Sequence, residues 1–217
     1  MKKCYYINNG VDLMAYQKSI EEEKIEDPDL IDNSKFNVTY AGTIRPVNNV
    51  GKLLDAAKII KSRGDYSDIQ FLIFGDGVQL EELKERANKE RIDTVRFKGY
   101  INRQYIPYVL SRSAVNVLNY SQNQYNWSRG NSSNKLFEYM AMEKPVVSTA
   151  LPECLKYTAV KIAQNVQEFV SLVEECKDAC KDEKRKELLK KCAWENDWSV
   201  KAAELKAYMG EWEKNER

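Results

Sequence analysis

The chain has 217 residues, 43% hydrophobic and 31% charged, which is enough for one α/β domain with a real core and short for two. Its 34 basic and 33 acidic side chains leave a net charge of +1, so nothing in the balance calls for nucleic acid as a partner. There is no histidine, which excludes a Ser–His–Asp, Cys–His or other histidine-based mechanism within the chain.

The elements follow in order. Tyr5-Tyr6-Ile7 is a short apolar run before the turn signal Asn8-Asn9-Gly10. Residues 17–35, acid-rich at Glu21-Glu22-Glu23 and with Pro28 inside, read as a surface connection with room for one helical turn. A regular alternation then begins. Phe36 to Ala41 is a strand ending at Gly42, and residues 50–62 place Val50, Leu53, Leu54, Ala57 and Ile60 on one helical face. Ile69 to Phe74 is a nearly continuous apolar run, the pattern of a buried parallel strand. Residues 79–91 are a charged helix with Leu80, Leu83 and Ala87 inward. Val95 to Phe97 is a short strand, 103–112 a helix containing Pro107, and Ala114 to Leu118 a strand. Residues 120–133 lack periodicity and form a long loop. A helix over 135–143, strands over 145–149 and 159–163, and helices near 166–178, 183–194 and 199–213 complete the chain.

Strands alternating with helices predict an α/β fold: a Rossmann-like, doubly wound parallel sheet of about six strands with C-terminal helices. In the common strand order 3-2-1-4-5-6, ligands bind at the carboxyl ends of the first and fourth strands. The loops leaving those strands are 42–49 and 119–134. In the first, Gly42 lets the backbone approach a ligand, and Arg45 is either a cation placed to grip a diphosphate or a solvated surface arginine. The second ends in Asn131-Ser132-Ser133-Asn134-Lys135 ahead of an apolar stretch, a helix N-cap signal. Its N–H groups, hydroxyls and Lys135 suit a phosphate, although capping alone also explains the composition. Glu138, one turn in, is favoured by the helix dipole and is equally placed to take a ribose hydroxyl pair. Gly75-Asp76-Gly77 opens like a dinucleotide fingerprint, but Leu80 occupies the third glycine position and the segment follows the second strand. It reads as a tight turn, and a dinucleotide oxidoreductase is disfavoured.

Five cysteines, Cys4, Cys154, Cys176, Cys180 and Cys192, occur without a CxxC, as expected of free thiols in a reducing cytosol. Cys176 and Cys180 are spaced to share one helix face, and no metal site is expected. No apolar stretch follows the first residues and none is long enough to span a membrane, so neither a signal peptide nor a transmembrane helix is expected.

Taken together, these residues resemble the C-terminal domain of GT-B glycosyltransferases of family 4 from about residue 5 to residue 212. Ile7 to Asp12 is similar to the family's interdomain segment I-x-N-G-V-D, Tyr40 to Ile44 to its first strand and glycine, Phe71 to Gly77 to L-x-I-x-G-x-G, and Val95 to Gly99 to V-x-F-x-G. Ser133 to Ala141 with Lys144-Pro145-Val146-Val147 resembles the S-x-N-K-L-F-E-Y-x-A-x-x-K-P-V of bacterial surface-polysaccharide transferases. Asp197-Trp198-Ser199 resembles the junction before the family's last helix.

The resemblance implies half of a GT-B enzyme: a linker-like segment and connection over 1–35, a nucleotide-sugar-binding domain over 36–198 and a last helix over 199–217. It implies retaining sugar transfer in polysaccharide (capsule) synthesis from a UDP-sugar or GDP-sugar, without a metal. The acceptor would sit on an absent N-terminal domain or separate subunit, so this chain alone would bind nucleotide and transfer little. It further implies a cytoplasmic protein, drawn to the inner face of the membrane through that partner. Glu138 matches the second Glu of the family's E-x7-E motif and would bind ribose. Ser132, Ser133 and Asn134 would hold the diphosphate with Lys135 and Leu136 beside them in the binding set, and Gly99, Tyr100 and Ile101 would flank the base. Gly42, Thr43 and Gly75 complete the expected binding set, with Arg45 and Lys135 as the cations that assist departure of the leaving group. The sequence departs from the family at Thr43 and Asn48, where an Arg and a Lys are usual, and at Gly130, where the first Glu of E-x7-E falls. The alternative is a non-catalytic nucleotide-binding module on the same fold. In the last helix, Tyr208 and Trp212 are expected either to be exposed for self-association or to pack on the sheet.

Overall fold

The computed structural model describes residues 5–64, 67–122, 133–178 and 182–215, with side chains described as far as Gly210. Six strands form one sheet: β1 (Phe36–Ala41), β2 (Ile69–Phe74), β3 (Val95–Gly99), β4 (Val115–Leu118), β5 (Val146–Thr149) and β6 (Lys161–Ala163). Every pairing is parallel and the order is β3-β2-β1-β4-β5-β6. The chain therefore reverses its direction of winding between β1 and β4, as the alternation of elements predicts. Among the described residues no helix is long and apolar enough to cross a membrane.

The strands bury both faces because helices cover both. On one face lie α3 (Gly51–Arg63), α4 (Leu80–Lys89) and α7 (Val166–Asp178), whose Leu53, Ala57, Ile60, Leu83 and Val173 pack on Val38, Phe71, Ile73 and Val117. On the other lie α5 (Ile106–Ser111), α6 (Asn134–Ala141) and α8 (Glu183–Glu195), with Leu110, Phe137, Tyr139 and Leu189 against Leu72, Phe74 and Leu118. Each fully buried aliphatic or aromatic side chain stabilises the fold by about 1.5–3 kcal/mol. Pro107 sits in the first turn of α5, after a 3-10 turn over Arg103–Tyr105, where its missing N–H breaks no helical bond.

The N-terminal connection departs from expectation. Two helices, α1 (Leu13–Glu22) and α2 (Pro28–Ile31), occupy the stretch read as a surface connection. Asp12 caps α1 by accepting from Ala15 N at 2.9 Å, and Leu13, Tyr16 and Ile20, spaced for one helix face, pack on the second core. Pro28 begins α2 instead of interrupting a helix, with Asp27 as its cap.

The first described residues are clasped to the start of the last helix, α9 (Trp198–Asn215). Val11 N donates to Asn196 O at 3.1 Å and Trp198 N donates to Val11 O at 2.9 Å. Beneath this bridge Asn8 donates to Glu153 at 2.7 Å, and the ammonium of Lys201 donates to the side-chain oxygens of Asn8 and Asn196. Further along α9, Tyr208 stacks on Tyr5 with ring centroids 4.7 Å apart, so it packs on the N-terminal segment and not on the sheet. The Trp212 side chain lies outside the described residues. Cys154 and Cys176 are buried free thiols and Cys192 is half-buried; Cys4 and Cys180 lie outside the described residues, as does the expected face shared by Cys176 and Cys180.

Candidate functional site

At the carboxyl ends of β1 and β4 the connecting loops are stitched together. Ser121 N donates to Val47 O at 2.8 Å, and Asn119 Nδ2 donates to Asn49 O. The loops after β1 and β2 are equally close: Gly42 N bonds Phe74 O at 2.9 Å, and Gly75 N bonds Gly99 O at 2.7 Å. A Cβ on Gly75 would stand 1.9 Å from the Gly42 carbonyl oxygen, so this glycine is required for loop packing. Gly99 takes a positive φ of 73° at the end of β3. Beyond it the side chain of Tyr100 is exposed and that of Ile101 packs against the second core.

Gly42 serves a different neighbour. A Cβ there would fall 1.8 Å from Lys135 Nζ, so the missing side chain is the space that the ammonium of Lys135 fills. Lys135 Nζ lies 4.7 Å from the Tyr40 ring centroid and 5.9 Å from that of Tyr120, and it approaches the Tyr40 hydroxyl at 3.4 Å. Tyr40 is held from below: its hydroxyl donates to Thr43 O at 2.8 Å and accepts from Asn48 Nδ2 at 2.8 Å. Asn48, at a family lysine position, is thus the buried brace of the first loop. Arg45 stands exposed at the rim, its Nε 3.4 Å from Asn48 Oδ1. Among the described residues neither Lys135 nor Arg45 is ion-paired to a carboxylate. Burial lowers the pKa of Lys135 to about 8; the Glu138 charge opposes this and the Arg45 charge adds to it. Two cations that repel one another at the mouth of a cleft make a place for a multiply charged anion.

Ser133 is the N-cap residue of α6 but gives no side-chain cap; its Oγ lies 3.2 Å from the Tyr120 hydroxyl. Asn134 and Lys135 follow as the first helical residues, at an N-terminus suited to an anion. Leu136 is fully buried in the core, with its N–H bonded to Ser133 O at 3.1 Å, so its side chain anchors the helix and does not line the crevice. Glu138 borders a cleft of about 610 Å³ together with Gly10, Tyr16, Arg103, Asn134 and Trp198. Ser132 and Gly130 lie outside the described residues.

The structure thus brings Gly42, Thr43, Arg45, Ser133, Asn134, Lys135 and Glu138 to one end of the sheet, with Gly75 beneath them and Gly99 to Ile101 at the end of β3. Sequence reasoning missed Tyr16, Tyr40, Tyr120 and Arg103. Only Tyr16 carried a usable signal, the helical spacing of Leu13, Tyr16 and Ile20 behind a capping Asp12. A second cavity, of about 450 Å³, opens at the other end of the sheet beside Phe36, Ala114 and Pro145. There Lys144, Arg185 and Lys186 face Glu143, Asp182 and Glu183, so the charges balance, and this is the end at which such sheets do not bind ligands. Among the described residues no group of three or more Cys, Asp or Glu is placed to hold a metal ion.

Comparison with known proteins agrees with this fold. A family model described as glycosyl transferases group 1 matches residues 35–178. TuaH of Bacillus subtilis, assigned as a teichuronic acid biosynthesis glycosyltransferase, is 26% identical over 125 residues, covering 55% of this chain and 31% of its own length. The structure of HepE from Anabaena in complex with UDP-glucose superimposes with a TM-score of 0.71 at 16% identity, over 93% of this chain and 56% of HepE. The C-terminal domain of LpcC, a glycosyl transferase group 1 family protein from Francisella tularensis, superimposes with a TM-score of 0.56 at 18% identity, over 89% of this chain and 97% of that domain. The chain therefore spans 31% of the length of TuaH and 56% of that of HepE.

Proposed function

The chain belongs to the group 1 glycosyl transferases, and from that premise we propose that it is the donor-binding part of a retaining glycosyltransferase, taking a UDP-sugar at the crevice between β1 and β4. The observation that carries the reading is a pair of cations, Lys135 and Arg45, with no carboxylate partner among the described residues, at the mouth of a crevice formed at a helix N-terminus with Glu138 one turn behind. In this reading the diphosphate lies across Gly42, Thr43 and the first turn of α6. Glu138 accepts the ribose hydroxyls, and the backbone of Gly99 to Ile101 flanks the base. UDP is the preferred nucleotide over GDP because the similar HepE has been crystallised with UDP and with UDP-glucose.

In the reaction the bond between the sugar anomeric carbon and the diphosphate oxygen breaks, and the electron pair leaves with UDP. The acceptor hydroxyl oxygen bonds to the same carbon and gives up its proton to the departing diphosphate oxygen. Lys135 and Arg45 stabilise the charge that grows on the departing diphosphate, and preorganised charges of this kind need no reorganisation as the bond breaks. The acceptor is held by a further domain or a separate subunit, so this chain binds nucleotide but does not transfer sugar alone. The product belongs to a bacterial surface polysaccharide, made on the cytoplasmic side of the membrane, in keeping with the similarity to TuaH.

Calorimetric titration of the chain with UDP, GDP, their glucose conjugates and NAD tests the reading. The expected result is binding of UDP and UDP-glucose that is lost in Glu138→Ala and weakened in Arg45→Ala. Binding of NAD alone overturns the reading, and robust sugar transfer by this chain alone overturns the division of labour.

A further inference from the structure

The cleft that Glu138 borders has a second polar wall. Asn134 and Glu138 of α6 line one part of it, and Arg103 lines another, from the 3-10 turn that leads into α5. That turn is fixed by its surroundings. Ile101 before it packs on the second core, Pro107 after it is buried, and Gln104 Nε2 donates at 3.0 Å to Glu23, the residue that ends α1. The backbone that carries Arg103 is therefore held in place. Its side chain is exposed, and among the described residues its guanidinium has no hydrogen-bond or ion-pair partner. Of the two carboxylates that line the cleft, Asp12 accepts from Ala15 N as the cap of α1, and Glu138 is the one assigned to ribose above.

With the diphosphate at the N-terminus of α6 and the ribose at Glu138, the base is the group left to occupy the rest of the cleft. The segment that flanks it in the functional reading, Gly99 to Ile101, ends just before Arg103. A guanidinium offers five N–H donors and no acceptor. On its pairing edge uracil presents the carbonyl oxygen O4, where cytosine presents an amino group. The carbonyl oxygen completes a charge-assisted hydrogen bond with Arg103. The amino group sets donor against donor and leaves the cation unpaired. We propose that Arg103 is a specificity-determining residue of the nucleotide site, its guanidinium donating to O4 of uracil and so selecting UDP over CDP. The inference rests on the placement of the nucleotide made above and extends it from the ribose to the base.

The test is titration of the wild-type chain and of Arg103→Gln with UDP and with CDP, with melting temperature as a second readout. Glutamine keeps a polar side chain but offers an acceptor as well as donors, so it suits either base. The wild type is expected to bind UDP about tenfold or more tightly than CDP, the discrimination given by one good side-chain contact to a base edge. In Arg103→Gln the UDP affinity falls about tenfold and the CDP affinity changes by less than about threefold, so the preference shrinks. The melting temperature holds, because an exposed side chain without a partner among the described residues is replaced. An equal loss for UDP and CDP in Arg103→Gln assigns the guanidinium to the diphosphate and overturns the inference, leaving the function standing. An unchanged preference in Arg103→Gln, or a wild type that binds the two nucleotides equally, overturns it in the same way. A wild-type chain that binds no UDP overturns the functional reading and the inference with it.

Discussion

One lysine in the first turn of α6 and another packed against that helix's Phe137 ring are drawn out of water in opposite ways. Lys201 is nearly inaccessible, yet its ammonium donates to Asn8 and Asn196, and its surroundings include the Glu153 carboxylate that Asn8 also holds. Among the described residues Lys135 meets the Tyr40 hydroxyl at a long distance and two aromatic faces. Burial lowers both pKa values, with Glu204 and Glu153 opposing the shift at Lys201 and Glu138 opposing it at Lys135. The difference lies in what completes each site. Lys201 finds its acceptors within the fold and fastens the N-terminal segment to the last helix. Among the described residues Lys135 has no carboxylate partner, and a bound diphosphate would supply an anion. Burial of a cation therefore does not by itself mark a functional site; burial without an anionic partner, at the mouth of a crevice, does.

The largest effect expected from breaking this contrast is at Lys201. Lys201→Met removes the donor to Asn8 Oδ1 and one of the three donors to Asn196 Oδ1, and a loss of about 3 kcal/mol is expected in urea unfolding. UDP affinity of the folded protein should stay within about twofold. Lys135→Met should do the reverse. UDP affinity falls about 30-fold, roughly 2 kcal/mol for a charge-assisted contact, while unfolding stability holds or rises because an unpaired buried charge has been removed.

Gly42→Ala sharpens the link between fold and site. Its Cβ would meet the Lys135 ammonium 1.8 Å away at a φ of +153°, and the flexible end of the lysine must give way. About a tenfold loss of UDP affinity is expected in titration, with a stability loss near 1 kcal/mol. The smallest effect is that of pH. The folded pKa of Lys135, about 8, lies below its ordinary 10.5, so the folded protein releases this proton first. The penalty for burying the charge is present at neutral pH and is relieved as pH rises from about 8 towards 10.5. UDP affinity should accordingly fall a few-fold between about pH 7 and 9 as the ammonium is lost, while the Lys135 contribution to unfolding stability rises. Both trends are expected to flatten in Lys135→Met.

Much of the fold is legible in the chain because parallel strands covered on both faces are continuous apolar runs. Ile69 to Phe74 needs no context to be read, and the helices that cover the strands repeat their apolar residues at helical spacing. α1 was missed because Glu21-Glu22-Glu23 and Pro28 dominate the composition of its neighbourhood. Its apolar stripe is only three residues wide and becomes meaningful once a core lies beneath it. The site was half legible. Gly42, Arg45, Lys135 and Glu138 stand out by position relative to strand ends, whereas Tyr16, Tyr40 and Tyr120 look like ordinary core or loop aromatics. Asn48 looked like the loss of a family cation, and its part in bracing Tyr40 and the Thr43 carbonyl depends on contacts that no spacing rule encodes.

By itself the sequence determined the alternation of strands and helices, the start of α6, and the end of the sheet at which a ligand is expected, because these follow from local periodicity and short-range backbone chemistry. Only the tertiary structure decided that Lys135 fills the space left by Gly42, that Tyr16 and Glu138 line one cleft, and that Lys201 meets amide oxygens while Lys135 meets no carboxylate among the described residues. These are juxtapositions of residues far apart in the chain. Their energies depend on burial and on which partners the register of the sheet brings within about 3 Å, and both are properties of the packed whole.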